Sequence, residues 1–178
     1  MSRHLAYADP PYLGCGKLYK KHHQEAMLWD DLEQHRSLID SLSQYDAWAM
    51  SLSSSTLQRI LPLCPADVRV AAWVKPFASF KPNVNPGYCW EPVIFRGSRK
   101  RERQDETVRD FLSANITLQK GLTGAKPIAF CLWILDLLGY ESEDELIDIF
   151  PGTGAMAQAL DIFKGQAWKQ APLFMEAQ

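Results

Sequence analysis

The stretch ELIDIFPGTGAMAQAL, residues 145–160, decides the fold. Leu146 to Phe150 reads as a buried strand. Gly152-Thr153-Gly154-Ala155-Met156-Ala157 then matches G-x-G-x-x-G/A, and the residues after it read as a helix. A glycine turn between strand and helix has a physical use. The glycines let the backbone approach a ligand closely, and the helix N-terminus presents free N–H groups. Downstream, PLFMEA reads as a further strand and sets Glu176 roughly 20 residues beyond the turn, where an acid can accept hydrogen bonds from a ribose diol. Turn, flanking elements and acid together point to a nucleoside-binding site, against the plainer alternative of a tight turn followed by an unrelated acid.

Working back from that stretch, GLTG (121–124) reads as a turn, and Lys126-Pro127 opens an apolar helix closed by Gly139. At the far end of the chain stands HLAYADPPYLG, residues 4–14. A strand over 3–8 leads into Asp9-Pro10-Pro11-Tyr12. Two prolines can neither continue a helix nor donate into a sheet, so this segment is a rigid turn holding a carboxylate, a carbonyl and an aromatic ring together. Between these ends the pattern predicts a loop over 13–24 and helical periodicity over 25–43. It then predicts strands over 45–52, 68–74 and 88–95, and a helix over 53–61 with its N-cap in the run Ser53-Ser54-Ser55. Strand alternating with helix implies a single α/β domain over 1–178, with a mainly parallel central sheet in a Rossmann-like three-layer sandwich. The chain leaves room for one strand after the glycine turn, so an outer strand is expected to be missing.

The 178 residues carry a net charge of −2, so composition implies no general attraction to polyanions, and any basic surface must be local. Two local clusters stand out. Lys17, Lys20 and Lys21 sit in the loop after the Asp9 turn, beside His22 and His23. Arg96, Arg99, Lys100, Arg101 and Arg103 crowd into the segment 96–125. Taken alone such runs are solvated loops; beside a nucleotide site they read as phosphate-contacting arms. The four cysteines have no metal-ligand spacing and read as reduced thiols of a cytoplasmic protein. No metal site, signal peptide or membrane-spanning window is expected.

A nicotinamide dehydrogenase would carry its glycine turn early, with a second mononucleotide-binding half behind it, and would leave Asp9-Pro10-Pro11-Tyr12 without a use. S-adenosylmethionine needs the same ribose acid and leaves that turn free for chemistry. At this point the sequence resembles the permuted, β-class amino-methyltransferases of DNA. Asp9-Pro10-Pro11-Tyr12 matches their catalytic motif, Lys126-Pro127 their helix-opening pair, and Asp148, Phe150, Gly152 and Gly154 their cofactor turn. Trp73-Val74-Lys75-Pro76 and Tyr88 to Phe95 resemble their middle strands.

The resemblance divides the chain into a catalytic half (1–95), a basic loop (96–125) and a cofactor-binding half (126–178). It implies methyl transfer to an exocyclic amine, adenine N6 ahead of cytosine N4, and DNA ahead of RNA. Asp9 and the Pro10 carbonyl would hold the amine, Pro11 would shape the turn, and Tyr12 would stack on the base. Phe150, Pro151, Gly152, Thr153 and Gly154 would lie under the methionine part of the cofactor. Asp148, with Lys126-Pro127, would meet its amino and carboxylate groups, and Glu176 its ribose. Residues 97–120 are too few for a separate recognition domain. Sequence specificity is therefore expected to be weak, or to come from short loops or a partner subunit, and the partners expected are nucleic acid and a specificity subunit or a second copy in a homodimer. The other reading kept open is a non-catalytic nucleic-acid-binding subunit of the same fold.

Overall fold

The computed structural model describes residues 1–20, 25–78, 82–117 and 124–165. A six-stranded sheet forms the middle layer: β1 (His4–Ala8), β2 (Ala47–Ser51), β3 (Arg69–Val74), β4 (Trp90–Arg96), β5 (Phe111–Ser113) and β6 (Glu145–Asp148), in the order β5-β3-β4-β2-β1-β6. The helices are α1 (Gly16–Tyr19), α2 (Leu32–Leu42), α3 (Leu57–Ile60), α4 (Ile128–Leu138) and α5 (Ala155–Gly165).

Side-chain alternation along the strands makes two cores. Leu5, Tyr7, Ala49, Trp73, Val93 and Phe95 face the apolar helix α4, with Met156 and Ala159 of α5. Ala6, Ala8, Trp48, Met50 and Ile94 face α2, through Leu38, Ile39 and Leu42. Two buried faces explain why β1 and β2 read as unbroken apolar runs. The expected three-layer α/β sandwich is what these two cores describe.

The sheet is mainly parallel, with one reversal. β1 pairs parallel with β2 and β6, and β3 with β5, but β4 runs antiparallel to both of its neighbours. Among the described residues no helix joins β3 to β4. Without a crossover the chain must turn straight back, and the returning strand is antiparallel.

Several local expectations change. The segment 13–24 carries the short helix α1. The helix expected over 53–61 is a single α turn between two 3₁₀ turns, and no side chain of the serine run caps it. The Thr56 hydroxyl instead donates to the Ser53 carbonyl. The segment 96–125 contains β5, missed because three residues are too few for a periodicity to show. The proposed last strand, with Glu176, lies outside the described residues.

The amino edge of the sheet is tied by Asp144, whose side chain is 1% exposed. It accepts from Arg99 at 2.9 and 2.7 Å and from the backbone N–H groups of Arg3 and Glu141. Burial works against its charge, but these donors outweigh it and hold the carboxyl below the usual range. Asp144→Asn is expected to cost about 3 kcal/mol near neutral pH, because Arg99 loses its buried partner. A depressed native pKa contributes stability above the unfolded value and loses it as pH falls. Thermal midpoints of the two proteins should therefore converge below about pH 4. A gap that persists there would mean that the carboxylate is not the source.

Candidate functional site

The carboxyl edge of the sheet collects the chemistry. Asp9 follows β1 and Lys75 follows β3, Asp148 ends β6, and Glu91 stands at the start of the reversed strand β4. β1 and β6 are neighbours, with Tyr7 paired to Asp148, so the turns after them emerge side by side. Ligands of open α/β sheets bind at this edge.

The two turns bound one cavity of about 530 Å³. One wall is Asp9, Pro10 and Pro11; the other is Asp148, Phe150, Pro151, Gly152 and Thr153. Gly152 and Gly154 have φ of +44° and +74°, which L side chains rarely adopt. Gly154 donates its N–H to the Pro151 carbonyl at 2.7 Å and accepts from the first turn of α5 through Gln158. Phe150 packs edge-on against Trp29, which anchors the turn to the α2 side of the sheet. Burial pushes the Asp148 carboxyl up to about 6, with Asp9 adding to the shift and the Phe150 N–H opposing it.

The Asp9 turn is held by a buried charge cluster. The Lys126 ammonium, on the residue before Pro127 (the N-cap of α4), donates to Asp9 Oδ1 at 2.9 Å, to the Tyr12 hydroxyl at 2.9 Å and to Glu91 Oε2 at 3.4 Å. Tyr12 donates to Glu91 Oε2 at 2.8 Å. Lys75 pairs with Glu91 Oε1. Burial opposes the Lys126 charge, yet the carboxylates of Asp9 and Glu91 outweigh it and hold the ammonium above the usual lysine range. Burial likewise opposes Glu91's charge, but the two lysines keep its carboxyl below the ordinary value. For Asp9 burial wins, and its carboxyl lies above the usual range despite Lys126.

These contacts redistribute the expected residues. An ammonium has three donors. Lys126 spends them on Asp9, Tyr12 and Glu91, so in this arrangement it serves the Asp9 turn and has none left for a cofactor carboxylate. Tyr12 is half-buried with its hydroxyl tied inward, beneath the Lys126 ammonium at 5.2 Å from its ring. Pro127 accepts from the Phe130 and Cys131 N–H groups and starts α4. Glu91 is the site residue that sequence reading left without a function. Its signal was a carboxylate inside the apolar run YCWEPVIF, where an acid needs partners.

The basic clusters separate. Arg96 pairs with Asp67, Arg99 with Asp144, and Arg101 donates to the Glu106 and Asp136 carbonyls. Gly97 and Arg99 lie beside Asp46 and Leu138, at the amino edge, across the sheet from Asp9. The basic segment thus begins as a structural latch and stands apart from the cavity. Lys100 and Arg103 are exposed beyond it. Lys17 and Lys20 are exposed on either side of Tyr19, which lines the cavity. Lys21 lies outside the described residues. Among those residues no group of His, Cys, Asp and Glu side chains could hold a metal ion, and no helix is long and apolar enough to cross a membrane.

No protein-family model and no curated protein matches the chain. Solved structures do. M1.HpyAVI in complex with SAM aligns with a TM-score of 0.57 at 15% identity, over 92% of this chain and 79% of that one. M1.HpyAVI in a second structure aligns with 0.56 at 15%, over 92% and 78%. At that identity the likeness is one of fold, a Rossmann-like α/β fold shared with M1.HpyAVI.

Proposed function

We propose that this chain transfers a methyl group from S-adenosylmethionine to an exocyclic amine of a nucleic-acid base, adenine N6 in DNA being the favoured target. One observation carries the reading. The Asp9-Pro10-Pro11 turn and the Phe150–Thr153 turn, from opposite ends of the sequence, face each other across a single cavity. The fold likeness to a structure that holds SAM supports the cofactor. The preference for adenine rests on the resemblance of an Asp-led turn.

The cavity residues fit the cofactor. The Phe150–Gly154 backbone would lie under its methionine part, and the Asp148 carboxylate would take its amino group. Glu176 is kept for the ribose. When bound, S-adenosylmethionine supplies a methyl group on a sulfonium that an amine lone pair can take, with the electron pair of the broken C–S bond remaining on sulfur. Lys126 and Tyr12 both meet Asp9 at Oδ1, which leaves Oδ2 to accept one N–H of the amine. The Pro10 carbonyl accepts the other. Together they direct the nitrogen lone pair across the cavity, where such preorganised acceptors matter most as charge develops. Asp9 is then placed to receive the proton that the methylated nitrogen sheds, and its raised pKa suits that task. The base must be flipped out of a duplex or supplied single-stranded to enter.

Labelled S-adenosylmethionine, incubated with separate pools of duplex DNA, single-stranded DNA and RNA, tests this through nucleoside mass analysis. N6-methyl-2′-deoxyadenosine from DNA is the expected product. Label in RNA alone would move the substrate, label in N4-methylcytosine would move the base, and no label in any pool would sink the function.

The nucleic-acid contact is proposed at Lys17 and Lys20. Lys17→Ala with Lys20→Ala should weaken DNA binding and flatten the slope of log K against log salt by roughly 1–2. Lys100→Ala with Arg103→Ala, at the other edge, should change it less; the reverse order would return the interface to the 96–103 segment.

A further inference from the structure

We infer that Glu91 is a positioning residue of the methyl-transfer site: it holds Lys126 and Tyr12 against Asp9 and balances the two lysine charges that meet there. The inference rests on the function proposed above. Glu91 owes its place to the reversal of β4, which brings the start of that strand to the carboxyl edge, in register with Trp73. Both of its oxygens are engaged, Oε1 by Lys75 and Oε2 by Tyr12 and Lys126. The cluster contains two carboxylates and two ammonium groups, and the exposure of these side chains runs from 8% at Lys126 to 21% at Asp9. Water therefore does little to screen them, and charge must balance within the cluster.

That balance bears on the reaction. Positive charge develops on the amine nitrogen as the N–C bond forms. An ammonium lies 2.9 Å from the carboxylate that holds this nitrogen. With Glu91 ionised, the four groups sum to zero. Without its charge the cluster carries an excess positive charge, which opposes the one developing on the substrate. The same carboxylate fixes the Tyr12 hydroxyl, and with it the ring at the corner of the turn. Glu91 touches neither substrate nor cofactor in this account; it acts through Lys126 and Tyr12.

Asp9 is faced by Lys126 from the α4 end, by Tyr12 from its own turn and by Glu91 from β4, with Tyr7, Tyr19, Cys131 and Asp148 nearby. Glu91 and Asp9 repel one another, so removing the Glu91 charge should lower the pH at which Asp9 protonates. A residue that merely packed would leave that titration unmoved.

The test uses the full chain in four forms: wild type, Glu91→Gln, Lys75→Met, and Glu91→Gln with Lys75→Met. Glu91→Gln should bind S-adenosylmethionine as wild type does, with kcat lowered roughly 10–100-fold and KM little changed. The double variant, again neutral overall, should recover part of that kcat. The Asp9 carboxyl, followed by NMR without turnover, should titrate at lower pH in Glu91→Gln. An unchanged kcat, a double variant no better than the single, or an unmoved Asp9 titration would overturn the inference. If wild type transfers no methyl group, the proposed function fails, and the NMR titration still decides whether Glu91 sets the charge state of Asp9. Should Glu91→Gln not fold, Glu91→Asp shortens the carboxylate's reach to Lys126 and Tyr12 at constant charge; a fall in kcat with S-adenosylmethionine binding unchanged supports the inference and wild-type kcat overturns it.

Discussion

Asp9→Ala is expected to lower the rate of methyl transfer by on the order of 10²–10³-fold or more, while S-adenosylmethionine still binds. In the proposed reaction Asp9 contributes an acceptor for the amine and an acceptor for its surplus proton, and it anchors Lys126 at 2.9 Å. Alanine removes all three at once. The cavity wall proposed to hold the cofactor, from Asp148 to Thr153, is carried by β6 and its turn and does not depend on the Asp9 carboxylate. Binding should therefore survive where turnover does not. Asp9→Asn separates the parts, because it keeps an acceptor oxygen and loses the charge, and should fall between wild type and Asp9→Ala. Calorimetry with S-adenosylmethionine and single-turnover transfer to an oligonucleotide measure the two quantities. Wild-type turnover in Asp9→Ala would remove Asp9 from the chemistry.

Lys126→Met should be the most destabilising change at the site, by about 3–5 kcal/mol near neutral pH, because two carboxylates stay buried when their shared cation is lost. In a chain of this size that lowers the thermal midpoint by roughly 10 °C. Methionine keeps most of the aliphatic stem against the Tyr12, Trp73 and Phe130 rings, so the loss reports charge more than packing. The pH dependence has a definite sign. Without Lys126, no cation opposes burial at Asp9, where the Tyr12 hydroxyl remains, and Lys75 with Tyr12 is left to oppose it at Glu91, so both native pKa values rise. The folded variant then binds protons more readily than the unfolded chain. Its deficit is full above the raised values and shrinks as pH falls through them. A midpoint difference that is the same at pH 5 and pH 8 would mean that packing, not charge, dominates.

The parts of the site that proved legible in the sequence are those made by neighbours in the chain. Asp9-Pro10-Pro11-Tyr12 declares a stiff turn because proline restricts its own backbone and that of the residue before it. Gly152 and Gly154 declare a turn because only glycine takes positive φ without cost. β1, β2 and α4 were legible because burial on two faces, or on nearly all faces of a helix, demands apolar runs. The basic run misled for a related reason: charge is visible in a sequence and its partner is not. Arg99 looks like a free cation until Asp144, 45 residues away, is set against it.

The sequence by itself determined the two turns, the layered α/β class and the order in which the Asp9 turn and the glycine turn follow one another. Each depends on backbone restriction or on periodicity within a few residues. Only the tertiary structure decided that β4 runs backwards and that Glu91 therefore meets Lys126 and Tyr12. Only it decided that Lys126 stands with the Asp9 turn, and that the arginine segment lies at the opposite edge. Those outcomes depend on pairings between residues far apart in the chain, whose energies exist only once the sheet has brought the charges together and excluded water from around them.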